Sequence, residues 1–379
     1  LSALIYRYLS PDAYRPALTA VLAAGVMALT VPILTSALRK RFDAQTVLWA
    51  GWILVLYPEG ILLGSAQMRE PFFILFFTLL IWGVANLLEK RKIASSALLL
   101  VLGGVGLFLF SYRIAIPILG VLSLWVWVDL SAQLQKPWIK AAGWLVILLM
   151  VLAGLWFLRD WLDAVLHWDV LQTVRRSGMV QSILDSLPGW ADFPFILVYG
   201  LFQPLLPAAV AAPAPWIWRS LGIFRALGWY ALLPLLAYAL VQVWRLPKSR
   251  KRRWLALIFL MVWAWIFIAS ARAGGDQWDN PRYRTIFLPW MALAGGWALH
   301  FAQKTRDAWL SRVLAVECIF LAVFTFWYLG RYIPEVPRLG LGVMVMVIFV
   351  LSGFVLGLGW IKDRRRSRQE RDEGPKSRE

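Results

Sequence analysis

Three short polar segments interrupt the apolar runs of this 379-residue chain, and each carries groups able to grip or activate a substrate. The densest runs from Ala273 to Arg284 and holds Asp276, Trp278, Asp279, Arg282, Tyr283 and Arg284. A guanidinium fork meets phosphate at two points and keeps its charge, so Arg282 and Arg284 suit a phosphate or diphosphate. Trp278 and Tyr283 offer faces on which a sugar ring can stack. Asp276 and Asp279 are candidate proton acceptors. A plain polar turn is the competing reading. The second segment joins Tyr57-Pro58-Glu59-Gly60 to Ser65-Ala66-Gln67-Met68-Arg69-Glu70-Pro71. Glu59 lies in an apolar stretch, where an ionisable group belongs in the bundle interior or a wet cavity. Arg69 and Glu70 open the next helix; Glu70 suits the positive end of its dipole, and a simple cap would look the same. Glu59 and Glu70 join the two aspartates as candidate catalytic carboxylates. The third segment, Ser111-Tyr112-Arg113, puts Arg113 at a membrane interface, where it can snorkel or point into a cavity.

Metal chemistry has little to work with. One cysteine (Cys318) and two distant histidines (His167, His300) do not make a zinc site. No metal ligand is assigned, although a divalent cation held by carboxylates stays compatible with the sequence. No HExxH, nucleophile elbow or phosphate-cradling glycine loop is present.

The elements that position these groups are membrane helices. Hydrophobic residues make up 60% of the chain and charged ones 16%. Eleven apolar stretches are each long enough to cross a hydrocarbon core, which takes about 20 residues of helix. They fall near 17–38, 45–65, 71–88, 95–112, 114–131, 141–158, 225–244, 253–271, 285–303, 313–330 and 340–361. The stretch 194–212 is apolar but carries Pro194, Pro204 and Pro207, which break a helical ladder, and is expected to be re-entrant or interfacial. The fold class predicted is all-α, a polytopic transmembrane bundle.

The net charge of +18 does not imply nucleic acid, because the basic residues sit at span ends. If the first span runs from outside to inside, the cytoplasmic loops hold Arg39-Lys40-Arg41, Lys90-Arg91-Lys92, Lys136 with Lys140, the run 245–253, Lys304 with Arg306, and the tail. Every lysine then lies on that side, and the outer loops carry arginine alone. An arginine-only face fits a phosphate-bearing substrate; an arginine-rich composition would give the same pattern. Many tryptophans lie near span ends, among them Trp125, Trp127, Trp138, Trp216, Trp218 and Trp244, as an interfacial belt requires.

Domain organisation follows. Residues 1–361 form one transmembrane domain. Within it, 159–212 is an outer-face insertion with amphipathic helices (Asp160 to Asp192) and the re-entrant segment. Residues 362–379 are expected to be a disordered, charged, cytoplasmic tail. The chain opens in mid-pattern at Leu1 and is expected to lack an N-terminal segment.

The order of elements resembles the C-type glycosyltransferase superfamily, polytopic enzymes that move a sugar from a polyprenyl-phosphate donor. The likeness rests on a span ending LTSALRKRFDAQ, then WILVLYPEGILLGSAQMREPFFILFFTLLIWG, and later WDNPRYRTIFLPWMALAGGWAL. An Arg followed by an acidic residue opening a helix matches Arg69 and Glu70. An Arg-Tyr pair before a Leu-Pro span matches Arg282, Tyr283 and Leu288-Pro289. The resemblance implies a lipid-linked sugar donor, a glycan, lipid or protein acceptor, and a multi-pass protein of the bacterial plasma membrane. It implies that the family's main catalytic acid precedes Leu1; Asp12 is not equated with it. Two alternatives stay open: an O-antigen-type polymerase or ligase, and a transporter or flippase without bond chemistry, which would show inverted repeats and broken helices.

Overall fold

The computed structural model describes residues 2–13, 15–89, 93–176, 178–211, 214–273 and 279–372, leaving aside the side chains of 2–4, 158, 160–179 and 366–372. Among them there is no strand. The helices are α1 (Ser2–Leu9), α2 (Pro16–Leu38), α3 (Ala44–Leu56), α4 (Pro58–Gly64), α5 (Glu70–Leu88), α6 (Ile93–Phe110), α7 (Tyr112–Ser131), α8 (Pro137–Arg176) and α9 (Gly178–Ser186). They continue with α10 (Asp192–Leu201), α11 (Leu206–Ala211), α12 (Trp216–Gln242), α13 (Arg250–Ala273), α14 (Asp279–Thr285), α15 (Leu288–Thr305), α16 (Trp309–Leu329) and α17 (Leu341–Asp372).

Among the described residues nine helices are long and apolar enough to cross a membrane, or up to eleven if each of two bent pairs is one span. The protein is therefore membrane-embedded and multi-pass. The first bent pair is the expected span 45–65; in the second, α15 is the expected span 285–303, and α14 is a short helix within the segment expected to be an outer polar loop. α3 and α4 meet at 55°, and α14 and α15 at 76°. The first break has a local cause. Pro58 cannot donate into the ladder of α3, so the helix ends at Leu56 and Pro58 starts a new one, with no orphaned N–H. The proline-rich stretch after Asp192 resolves into α10 and α11, neither long enough to span.

The chain divides into two compact units, residues 1–204 with 239–300, and residues 205–238 with 301–379. In the first, α5 packs against α2, α6 and α7, and α13 packs against α7, α8, α10 and α14. Gly296 lets α15 approach α3 backbone to backbone: a Cβ there would sit 2.6 Å from the amide nitrogen of Ala50. Aromatic rings fill the interior in a column. Trp265 stacks on Phe287 at 4.4 Å, Phe287 meets Trp290 at 5.7 Å, Trp290 meets Trp125 at 6.0 Å, and Trp125 meets Trp254 at 5.5 Å. Trp125 is thus core, and not part of an interfacial belt, because its helix turns it toward Trp290 and Trp254. Trp138, Trp216, Trp218 and Trp244 are exposed, as a belt requires.

In the second unit α16 packs on α17 and α11 on α16. The helix of α17 continues to Asp372, where a disordered tail was expected from residue 362. Its polar start is held: Arg312 donates to both oxygens of Asp363, at 2.6 and 2.8 Å, passing over Gly359, which has no side chain to obstruct it. α8 likewise runs unbroken from its span through Arg176, so 159–176 is helical backbone continuous with the span.

Candidate functional site

Glu70 is the first residue of α5, and its carboxylate is 1% exposed. A buried charge is costly unless paired. Its Oε1 accepts from Arg282 Nε at 2.5 Å, and Arg69 Nε lies 3.9 Å from the same oxygen. Oε2 is buried and has no hydrogen-bond partner. An unsatisfied buried polar atom costs about 1–3 kcal/mol, and more when charged. The carboxylate is therefore half coordinated, with the positive end of the α5 dipole as added support.

α14 brings the second half of the site. Arg282 is 24% exposed and reaches from Glu70 toward Asp279, whose Oδ1 lies 3.4 Å from its Nη1. Asp279 is 50% exposed, so solvent reaches this carboxylate while Glu70 and Glu59 are buried. The Tyr283 ring has Arg272 over its face at 3.9 Å and Arg282 at 5.6 Å. The Tyr283 carbonyl accepts from Trp265 Nε1 at 3.0 Å, which fixes α14 to α13. Two arginines and an aromatic face are thus gathered on the carboxylate that opens α5.

Arg69 points the other way as well. It is 45% exposed and lines a cleft of about 220 Å3 with Thr19, Gln67, Phe72 and Phe110. Phe72 and Phe110 stack at 4.8 Å along it. The cleft joins a cation and an amide to an aromatic wall, a combination that suits a charged head on an apolar chain.

The remaining sequence candidates separate. Arg284, expected to grip substrate, is fully buried: Nη2 donates to the Gln203 carbonyl at 2.9 Å and Nη1 to that of Leu201 at 3.5 Å. Asn280 Nδ2 donates to the Gly200 carbonyl at 2.9 Å. These carbonyls lie at and just past the end of α10, where a helix offers fewer of its own donors. Arg284 and Asn280 therefore secure the proline-broken segment. Glu59 is buried in α4, which packs against α2, α5 and α14. Arg113 stays on the exposed start of α7, donating to the hydroxyl of its neighbour Tyr112 at 3.3 Å. Asp276 and Trp278 lie outside the described residues. Among the described residues no three His, Cys, Asp or Glu side chains converge as a metal site would need.

Sequence reasoning missed a second cluster, at the opposite end of α5. Asp129, 0% exposed, accepts from Arg250 Nε at 2.6 Å and from Trp254 Nε1 at 2.6 Å. Its other oxygen accepts from Arg250 Nη2 and from Gln133 at 3.4 Å. Arg250 also reaches the Leu88 carbonyl, and Arg41 pairs with Glu89 at 3.0 Å and covers Trp254 at 4.7 Å. The available signal was an aspartate inside the apolar run WVWVDLS.

Comparison with protein families, with curated proteins and with solved structures returns no match for this chain.

Proposed function

We propose that the protein is a membrane glycosyltransferase of a bacterial plasma membrane, taking a sugar from a polyprenyl-phosphate donor at the outer face, with its C-terminus cytoplasmic. The observation that carries this reading is the Glu70–Arg282 pair, a buried, half-coordinated carboxylate holding a partly exposed arginine beside Arg69. Arginines so held are preorganised to neutralise a departing lipid phosphate. Asp279 is the solvent-reached carboxylate of the cluster and the candidate to take the acceptor's proton. In the reaction the acceptor oxygen bonds to the sugar's anomeric carbon, the bond from that carbon to the phosphate oxygen breaks, and the lipid phosphate leaves as an anion. Tyr283 supplies a face for the sugar. Glu70 acts as a positioning residue, through Arg282.

A lipid-linked-substrate carrier is the second reading, favoured by the two bent helix pairs. The breaks lie nearer the Glu70 end than the middle of the bundle: α15 alone, with 18 residues, is about 27 Å long. That position favours a site at one face.

The test is a transfer assay on protein in liposomes, with polyprenyl-phosphate sugars labelled on the sugar and a cell-envelope extract as acceptor. Label should move to the acceptor with release of polyprenyl phosphate, and Asp279→Asn should abolish the movement. Label that crosses the bilayer yet stays lipid-linked would replace this reading with the carrier.

A further inference from the structure

α2 and α3 leave a groove of about 440 Å3 between them, whose mouth at Arg39 lies at the end remote from Glu70. α2 contributes Val31, Thr35 and Arg39, one face at every fourth residue; α3 contributes Val47, Leu48, Gly51, Trp52 and Val55 among others. Gly51 forms the floor, where a Cβ would sit 3.6 Å from the methyl of Thr35. The Thr35 hydroxyl already donates to the Pro32 carbonyl, so the groove is apolar until Arg39. Along α3, Ala44 to Val55 measures about 16 Å, the reach of roughly the first dozen carbons of an acyl chain.

The mouth is cationic. Arg39 lines it, is exposed, and has no carboxylate partner among the described residues. Its neighbours are committed elsewhere: Arg41 to Glu89, and Asp43 to Lys251 at 3.9 Å and His300 at 3.5 Å. An apolar trough one chain long, ending in an unpaired arginine at a helix end, complements a lipid with a negatively charged head. We propose that this groove binds an anionic phospholipid, one acyl chain along Gly51 and its phosphate at Arg39, in the leaflet facing the basic loops. The site is separate from the Glu70 cluster, which lies past Tyr57 at the other end of α3, so it does not rest on the transferase reading.

The test is native mass spectrometry of the full chain, delipidated in detergent and titrated with phosphatidylglycerol or phosphatidylcholine of identical chains. Phosphatidylglycerol should bind first and more tightly. Arg39→Gln alters only an exposed side chain and should weaken it about fivefold, as expected for one charge near a lipid surface. Gly51→Leu should fill the floor and lower binding of both lipids. Equal affinity for the two lipids, or unchanged phosphatidylglycerol affinity in Arg39→Gln, would overturn the proposal. The Arg39 variant decides the matter even if Gly51→Leu does not fold.

Discussion

Asp129 and Glu70 are both buried carboxylates, set at opposite ends of the 19 residues of α5, about 28 Å apart along its axis. Both pair with an arginine from the α13–α14 region. They differ in how completely they are satisfied. Asp129 receives donors on both oxygens, and Trp254 lies under two guanidinium groups, at 4.7 and 5.0 Å. Glu70 receives Arg282 on one oxygen and nothing on the other. A closed network rigidifies, whereas an open one leaves capacity for a further donor. The first is a clasp joining α5, α7 and α13. The second has the form of a site.

The largest effect should come from breaking the clasp. Arg250→Ala leaves Asp129 buried without its cation; breaking a fully buried pair costs about 3–5 kcal/mol, and because Arg250 is 46% exposed the loss should lie toward the lower end of that range. A thermal melt in detergent checks it; a loss as small as that of a surface variant would remove the distinction between the two ends. Next is Arg284→Ala, which removes a fully buried guanidinium that donates to the carbonyls of Leu201, the last residue of α10, and of Gln203. Losing buried hydrogen bonds from a charged donor costs about 1.5–3 kcal/mol each, so the melt should fall clearly. If Arg284→Ala instead spares the melt and impairs donor binding, Arg284 belongs to the site and not to the scaffold.

These variants also show what was legible in the sequence. Apolar length located the spans, because crossing a bilayer is a constraint each segment satisfies alone. It did not show the bend at Tyr57, since α3 and α4 read as one apolar run, nor that the polar segment before the span at 285 forms the helix α14. The charges Glu70 and Arg282 were visible as candidates, but their pairing is a contact across 212 positions. Arg284 looked equivalent to Arg282 two residues earlier; a helical turn sends one inward to α10 and the other to Glu70. Trp125 and the exposed Trp138 look alike in sequence, and only packing separates them. Asp129 was passed over because a single carboxylate near a span end reads as an interfacial charge until its partners on α13 are known.

Smaller effects sharpen the contrast. Glu70→Gln keeps an acceptor for Arg282 and removes a charge with an unpaired oxygen, so its melt should change by about 1 kcal/mol or less. Its donor binding should nonetheless weaken, because the amide holds Arg282 less firmly. A large loss of stability would make Glu70 a second clasp. Arg113→Ala, on an exposed helix start, should fall within about 0.5 kcal/mol of the parent and leave donor binding intact.

The most direct measurement compares the affinity of polyprenyl phosphate for the parent, Arg282→Lys and Arg250→Lys in nanodiscs. Each variant keeps its charge and loses the two-pronged fork. Arg282→Lys should weaken binding about tenfold or more, the worth of one charge-assisted hydrogen bond, while Arg250→Lys lowers the melt and leaves affinity unchanged. Parental affinity in Arg282→Lys, or equal losses in both variants, would contradict the assignment of the Glu70 end as the site.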